Sequence, residues 1–295
     1  MHKSTSLFYW IRNHILILIM FITISGYLMG QDTISNSSII DDSTQYSYLM
    51  INSGFSYNKL EHSVNITEKI PSIFNKIDYY HKSGIYLGGS FSNYFSDSLQ
   101  SFEYEVLAGF QKYYDNGFDF DISYAWHDFN GNTKLEGINY THSFDIYSGY
   151  EFKNNYLSSD FNLLIGENNV NYFLDIDISR FISFDNVLLK NSVLMINPTL
   201  SFAFGTDYWV YSDLTIENQT QLQNFLSNRG YSYNNFCFQG INIMLPISYG
   251  INNLYFTFSG IYRIPSRKFK FIGMESGFGT MISLTYFYNF KGTNK

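Results

Sequence analysis

The chain has 295 residues and a net charge of −7, from 18 basic and 25 acidic side chains. Charged residues make up 15% and aromatic residues 20%, against about 25% charged in an ordinary soluble domain. No basic face for nucleic acid is available, 29 Phe and 27 Tyr are incompatible with disorder, and a mean hydropathy of −0.13 rules out a bundle of apolar helices.

Lys3, Arg12 and His14 precede the apolar run 15–24, and small residues follow at Ser25 and Gly26. That order predicts a secretory signal over 1–30, cut at Gly30/Gln31. A retained anchor helix is the alternative, but 15–29 falls short of the about 20 residues a helical span needs. No Cys follows the run, so a lipoprotein anchor has no attachment point. The lone Cys237 has no disulfide partner and reads as a packing residue in a strand. Residues 31–46 are polar and read as a flexible periplasmic lead-in.

From there the period is two. Phe102, Tyr104, Val106, Ala108 and Phe110 share one face, with Glu103, Glu105 and Gln111 on the other. After the hairpin signal Asp115-Asn116-Gly117, Phe118, Phe120, Ile122, Tyr124 and Trp126 oppose Asp119, Asp121, Ser123 and His127. The same alternation sets Ile176 and Ile178 against Asp175 and Asp177, and Ile282, Leu284 and Tyr286 against Ser283 and Thr285. The predicted strands are 47–58, 70–81, 85–96, 101–114, 118–129, 137–152, 156–166, 170–181, 190–206, 234–249, 253–264 and 277–290. The weakest is 70–81, which opens on Pro71 and is included partly because single-chain bacterial barrels have even strand numbers.

The strands exceed the about five or six residues of soluble sheets. Connections alternate between a mostly long set, 207–233 the longest, and a mostly tight set. Aromatics gather at both ends: Tyr113, Tyr114, Phe118, Tyr150, Phe152 and Tyr156 by the tight turns, and Trp126, Phe129, Tyr208 and Trp209 opposite. A soluble sandwich would show the same alternation with its apolar face inward. Low charge, long strands, asymmetric connections and the signal together select an all-β fold: an antiparallel transmembrane β-barrel of about 12 strands over 47–290, with a tail at 291–295. Turns and both termini are then periplasmic, in a cell outer membrane. The surroundings are a lipid bilayer with lipopolysaccharide, reached through the outer-membrane insertion machinery.

The run Tyr79-Tyr80-His81-Lys82-Ser83-Gly84-Ile85-Tyr86-Leu87-Gly88 resembles a hairpin of outer-membrane β-barrel proteins of Bacteroidota-type envelopes. So does Phe181-Ile182-Ser183-Phe184-Asp185-Asn186 leading to Asn197-Pro198-Thr199-Leu200-Ser201-Phe202, as do the Gly30/Gln31 junction and the aromatic closing strand. The resemblance implies an outer-membrane location and no particular chemistry. Five residues after Phe290 depart from the commonest barrel ending.

The polar positions expected to line the lumen carry Glu103, Glu105, Asp119, Asp121, Asp145, Glu151, Asp160, Asp175 and Asp177. Their shared face suggests a cation-attracting wall or a metal site. The plainer reading is a hydrated interior in which they pair with Arg180, Arg263 or Lys76. None of the six histidines, His2, His14, His62, His81, His127 and His142, has zinc-motif spacing. His142-Ser143 invites comparison with outer-membrane phospholipases, but adjacent strand residues face opposite ways. No catalytic, metal or cofactor set is therefore assigned, and an outer-membrane hydrolase has no supporting motif. Lumenal Phe173, Phe238 and Tyr255 suggest a partly filled interior. Residues 214–226 form a candidate short helix that folds into the mouth, caps it or stays outside. The function readings are a narrow channel or transport barrel for small polar solutes or cations, and a non-conducting scaffold whose outer loops bind partners.

Overall fold

A computed structural model describes residues 46–57, 71–95, 100–131, 140–166, 170–207, 216–232 and 235–290. The predicted signal, nearly all of the lead-in, the tail and the residues Tyr208 and Trp209 lie outside them.

Fourteen strand segments form one antiparallel sheet: β1 (Ser47–Tyr57), β2 (Ser72–Tyr80), β3 (Ile85–Phe95), β4 (Gln100–Tyr113), β5 (Phe118–Gly131), β6 (His142–Phe152), β7 (Asn155–Ile165), β8 (Val170–Arg180), β9 (Ile182–Asp185), β10 (Ser192–Ile196), β11 (Thr199–Thr206), β12 (Phe236–Ile251), β13 (Leu254–Pro265) and β14 (Gly277–Phe290). Each pairs with its neighbour in sequence, apart from the broken strands described next. The sheet closes where β1 meets β14, from Ser47 opposite Phe290 to Tyr57 opposite Thr280. Closure leaves no edge, which is what a backbone surrounded by lipid requires.

The wall has 12 strands, as the alternation predicts. Two of them are broken. β8 and β9 form one strand interrupted at Phe181, and β10 and β11 form one interrupted at Asn197-Pro198. Pro198 has no N–H to give to a ladder. Pairing spans the break because Pro198 O accepts from Arg180 N at 3.1 Å, and Asn197 N donates to Pro246 O at 3.1 Å. This wall strand therefore runs to Asp185, beyond the predicted end at 181. Strand β6 starts at His142; of the predicted start, Tyr140 and Thr141 are outside the strand and 137–139 lie outside the described residues.

The tight turns follow from local chemistry. Between β4 and β5, Tyr114 N bonds Phe118 O and Gly117 N bonds Tyr114 O. Gly117 holds φ +84°, a region closed to most side chains.

Facing is now explicit. On β4, Val106 is 57% exposed and Glu103 only 6%. Ile77, Ile85, Leu87, Ile122, Ile146 and Ile178 are likewise exposed, on the outside. So much exposed apolar surface is abnormal for a water-soluble monomer and normal for a barrel solvated by lipid. Tyr114, Phe118, Tyr150 and Phe152 are exposed at the turn end as expected. Phe129 differs from its expected place in the opposite girdle. It shares the inward parity of His127, stacks with that ring and meets Tyr140 edge-on.

Phe238 is a second difference. Expected in the lumen, it is 38% exposed. The pairing of β11 with β12 shifts register between Ala203 and Phe204, leaving Gln239 as the extra residue. A bulge of one residue reverses the parity beyond it, so Phe238 turns outward. Phe173 is buried inside as expected, packed with Leu164 and Phe269.

The turn-end half of the lumen is filled by tyrosines. Tyr48 stacks on Tyr80 at 4.6 Å, Tyr80 contacts Tyr86, and Tyr48 and Tyr255 both meet Phe287. Gly109 and Gly149 make room for this layer, since a Cβ on either would collide with the rings of Tyr86 and Tyr156. At the loop end the β13–β14 connection turns inward. Its short helix α2 (Arg267–Phe271) buries Lys268 and Phe269. The predicted helix in the long connection is present as α1 (Ile216–Ser227). The chain at its end packs onto α2: the Arg229 guanidinium lies over the rings of Phe225 and Phe271, and Tyr231 meets Phe271.

Candidate lumenal site

Between the tyrosine layer and α2 lies a polar cavity of about 450 Å³. The nine predicted lumenal acids separate here by depth. Glu103, Glu105, Asp145, Asp160, Asp175 and Asp177 line the cavity. Asp119 and Asp121 have the same parity but sit in the tyrosine layer, where Tyr156 OH donates to Asp119 at 2.5 Å and Tyr86 OH to Asp121 at 2.6 Å. Glu151 is exposed at the turn end of β6. Arg263, buried on β13, is the single Lys or Arg among the cavity's described lining residues. Lys76 is engaged elsewhere, 3.4 Å from the buried Asp78.

Within the cavity the acids are held differently. Asp145 accepts from Asn162 Nδ2 and from Ser123 Oγ at 3.4 Å. Glu103 takes part in a buried chain. Tyr94 OH donates to its Oε2 at 2.5 Å, and its Oε1 lies 3.0 Å from His127 Nδ1. On the other side of the ring, His127 Nε2 lies 3.0 Å from Ser143 Oγ. Glu105 Oε2 stands 3.8 Å from His127 Nδ1. Strand pairing delivers this arrangement. The β4–β5 hairpin puts Glu105 opposite His127, and the β5–β6 ladder puts Ser143 opposite Ala125, on the same inward face.

His127 and Ser143 are the residues that spacing alone did not bring together. The histidine beside Ser143 in sequence, His142, bonds Tyr124 OH, a residue of the outer face. The signal for His127 lay in the hairpin: a turn centred on Asn116 sets Glu105 opposite His127.

Serine, imidazole and carboxylate stand here in the order that activates a serine nucleophile. A tetrahedral intermediate needs donors or positive charge at its oxyanion, and Asp145 and Glu105 carboxylates line the cavity alongside this chain, with Arg263 as its one Lys or Arg among the described lining residues. Carboxylates and an imidazole converging on one point are better suited to a cation.

No protein-family model matches the chain, and no curated protein matches it. Among solved structures, the KdgM porin in complex with disordered oligogalacturonate aligns at 11% identity with a TM-score of 0.45, over 80% of this chain and 98% of that one. LpxR from Salmonella typhimurium aligns at 6% identity and 0.44, over 81% and 100%. The translocator domain of the autotransporter NalP from Neisseria meningitidis aligns at 9% and 0.42, over 96% and 97%. The pairing of β1 with β14 establishes barrel closure without reference to any of them.

Proposed function

We propose that this protein is an outer-membrane barrel admitting small cations and polar solutes to an acid-lined lumen. In this reading both termini and the tight turns are periplasmic, and the long connections face outward through a lipopolysaccharide-containing leaflet. The envelope is of the Bacteroidota type to which the hairpin resemblance points, and insertion proceeds through the outer-membrane machinery. The reading assigns transport rather than catalysis.

One observation carries it. Six carboxylates and one guanidinium line a single cavity. Low-dielectric walls focus the field of such a cluster and concentrate counter-ions. Twelve strands lie between eight, which side chains fill, and 16–18, which leave an aqueous pore.

Reversal potentials across a planar bilayer in a salt gradient test the proposal. Cations should be favoured, and the preference should weaken as the Debye length falls from about 10 Å at 0.1 M to about 3 Å at 1 M. Replacing Asp145, Asp175 and Asp177 together by Asn should reduce selectivity more than Glu151→Gln, which changes only the rim. Anion preference, or selectivity unchanged in the triple variant, would remove the acids from the pathway.

The tyrosine layer favours a second reading, the non-conducting scaffold with binding loops. It predicts a refolded barrel with no conductance at any salt concentration.

A further inference from the structure

We propose that Glu103, Glu105 and His127 bind a divalent transition-metal ion on the inner wall of the barrel. The inference goes beyond the channel reading, because it needs ions to reach the cavity and not to cross the membrane. One ligand atom from each of the three residues lies within 4.8 Å of the others, and among the described residues no other group of three does so. Nδ1 of His127 is 3.0 Å from Glu103 Oε1 and 3.8 Å from Glu105 Oε2. Ligands of one tetrahedral ion stand about 3.3 Å apart when each metal bond is about 2.0–2.1 Å. The three atoms therefore need only small adjustments to share an ion.

Burial and charge support the assignment. The His127 and Glu103 side chains are 4% and 8% exposed, and Glu105 is 22% exposed toward the cavity. Two carboxylates converge on the imidazole in a secluded place, where the charge of a dication offsets theirs. Groups outside the trio orient it. Tyr94 OH takes Glu103 Oε2 and leaves Oε1 turned to the centre. With a metal on Nδ1, the ring proton of His127 sits on Nε2, where Ser143 Oγ accepts it at 3.0 Å. Outer hydrogen bonds of this kind set the tautomer and ring orientation of metal-binding histidines.

The donor set selects the ion class. Calcium and magnesium take all-oxygen ligands, whereas imidazole with carboxylates suits zinc, iron(II), manganese and their neighbours. Three protein ligands leave a coordination position open to the cavity, available to water or a solute.

The test uses the barrel refolded in detergent, stripped with chelator and titrated with Zn(II) by calorimetry and with Co(II) by visible absorption. One saturable site per chain is expected. His127→Gln and Glu105→Gln should each weaken binding by on the order of 100-fold. Tyr94→Phe, which removes only the outer bond to Glu103, should weaken it by about 10-fold. Asp175→Asn, three strands from β5 on the same cavity wall, should weaken binding far less than Glu105→Gln, and His142→Ala, on the outer face, should leave affinity and stoichiometry unchanged. The mobility difference between boiled and unboiled samples verifies folding of each variant.

The inference is overturned if wild type shows no saturable site, if the site survives in His127→Gln, or if Asp175→Asn weakens it as much as Glu105→Gln. The last result would mean diffuse binding to acids. Conductance measured without metal keeps the two proposals apart. A barrel that conducts but does not bind loses only the metal site, and one that binds but does not conduct loses only the channel.

Discussion

Asp207→Ala should destabilise the docked loop end of the barrel by about 3–5 kcal/mol, the range for breaking a buried ion pair by removing one partner. Asp207 is fully buried at the end of β11, and its Oδ2 stands 2.5 Å from the buried Lys268 Nζ on α2. Its other oxygen accepts Asn235 N at 2.8 Å. Lys268 also donates to Asn235 Oδ1 at 3.0 Å. Removing the carboxylate strands an ammonium that water cannot reach. The strain has one local exit: α2 can leave its seat and take Phe269 with it. Hydrogen exchange should therefore rise at Lys270 and Met274, whose amides bond Ser266 O and Phe269 O, more than in β4 or β5. Adding Lys268→Met to Asp207→Ala should recover most of the loss, because the unpaired charge is gone. A single variant within about 0.5 kcal/mol of wild type, the ordinary scatter of surface changes, would show that the pair does not hold α2 in place.

Much of the wall was legible because a strand's side chains obey a period of two and a membrane reverses which face is apolar. Asp115-Asn116-Gly117 located a hairpin, and the residues on either side then counted themselves into register. The misreadings have local causes. At Gln239 the bulge adds one residue, and alternation carries no mark of an insertion until the partner strand is known. That reversed Phe238. Phe129 lies near a strand end, where girdle aromatics collect, but its parity with His127 turns it inward. The break at Asn197-Pro198 was visible as a proline, but its bridging by Arg180 and Pro246 depends on neighbours that only the closed sheet supplies.

The site was legible in part. Alternation picked out nine acids on one face, but face does not reveal depth. Depth separates Asp119 and Asp121, held by tyrosines, from the cavity acids, and leaves Glu151 at the rim. His127 has the inward parity in the sequence, but side chains that meet across a ladder carry no motif spacing along either strand. Lys268 and Asp207 lie 61 positions apart, in two connections. No periodicity links them, and only the inward fold of α2 brings them together.

Ile176 and Asp177, adjacent on β8, give the sharpest test of which side of the wall meets lipid. Ile176 belongs to the exposed outer belt, and Asp177 lines the cavity. Ile176 is opposite Ser159 on β7 and Phe202 on β11, so it sits well inside the wall. Ile176→Arg puts a cation into hydrocarbon and should cost about 2–4 kcal/mol near the midplane, less if the guanidinium reaches an interface. Asp177→Asn keeps size and hydrogen-bonding capacity and removes one charge from a crowded acidic wall, so its effect should be small and of either sign. Equilibrium unfolding in lipid vesicles reads both. Under the inside-out arrangement the arginine variant is the weaker by at least about tenfold in folding equilibrium, the equivalent of 1.4 kcal/mol. Equal losses would mean that β8 is out of register or that its apolar face does not meet lipid. A larger loss for Asp177→Asn would mean that Ile176 does not meet hydrocarbon at this depth, contrary to the exposure of Ile77, Val106 and Ile146 elsewhere on the outer face.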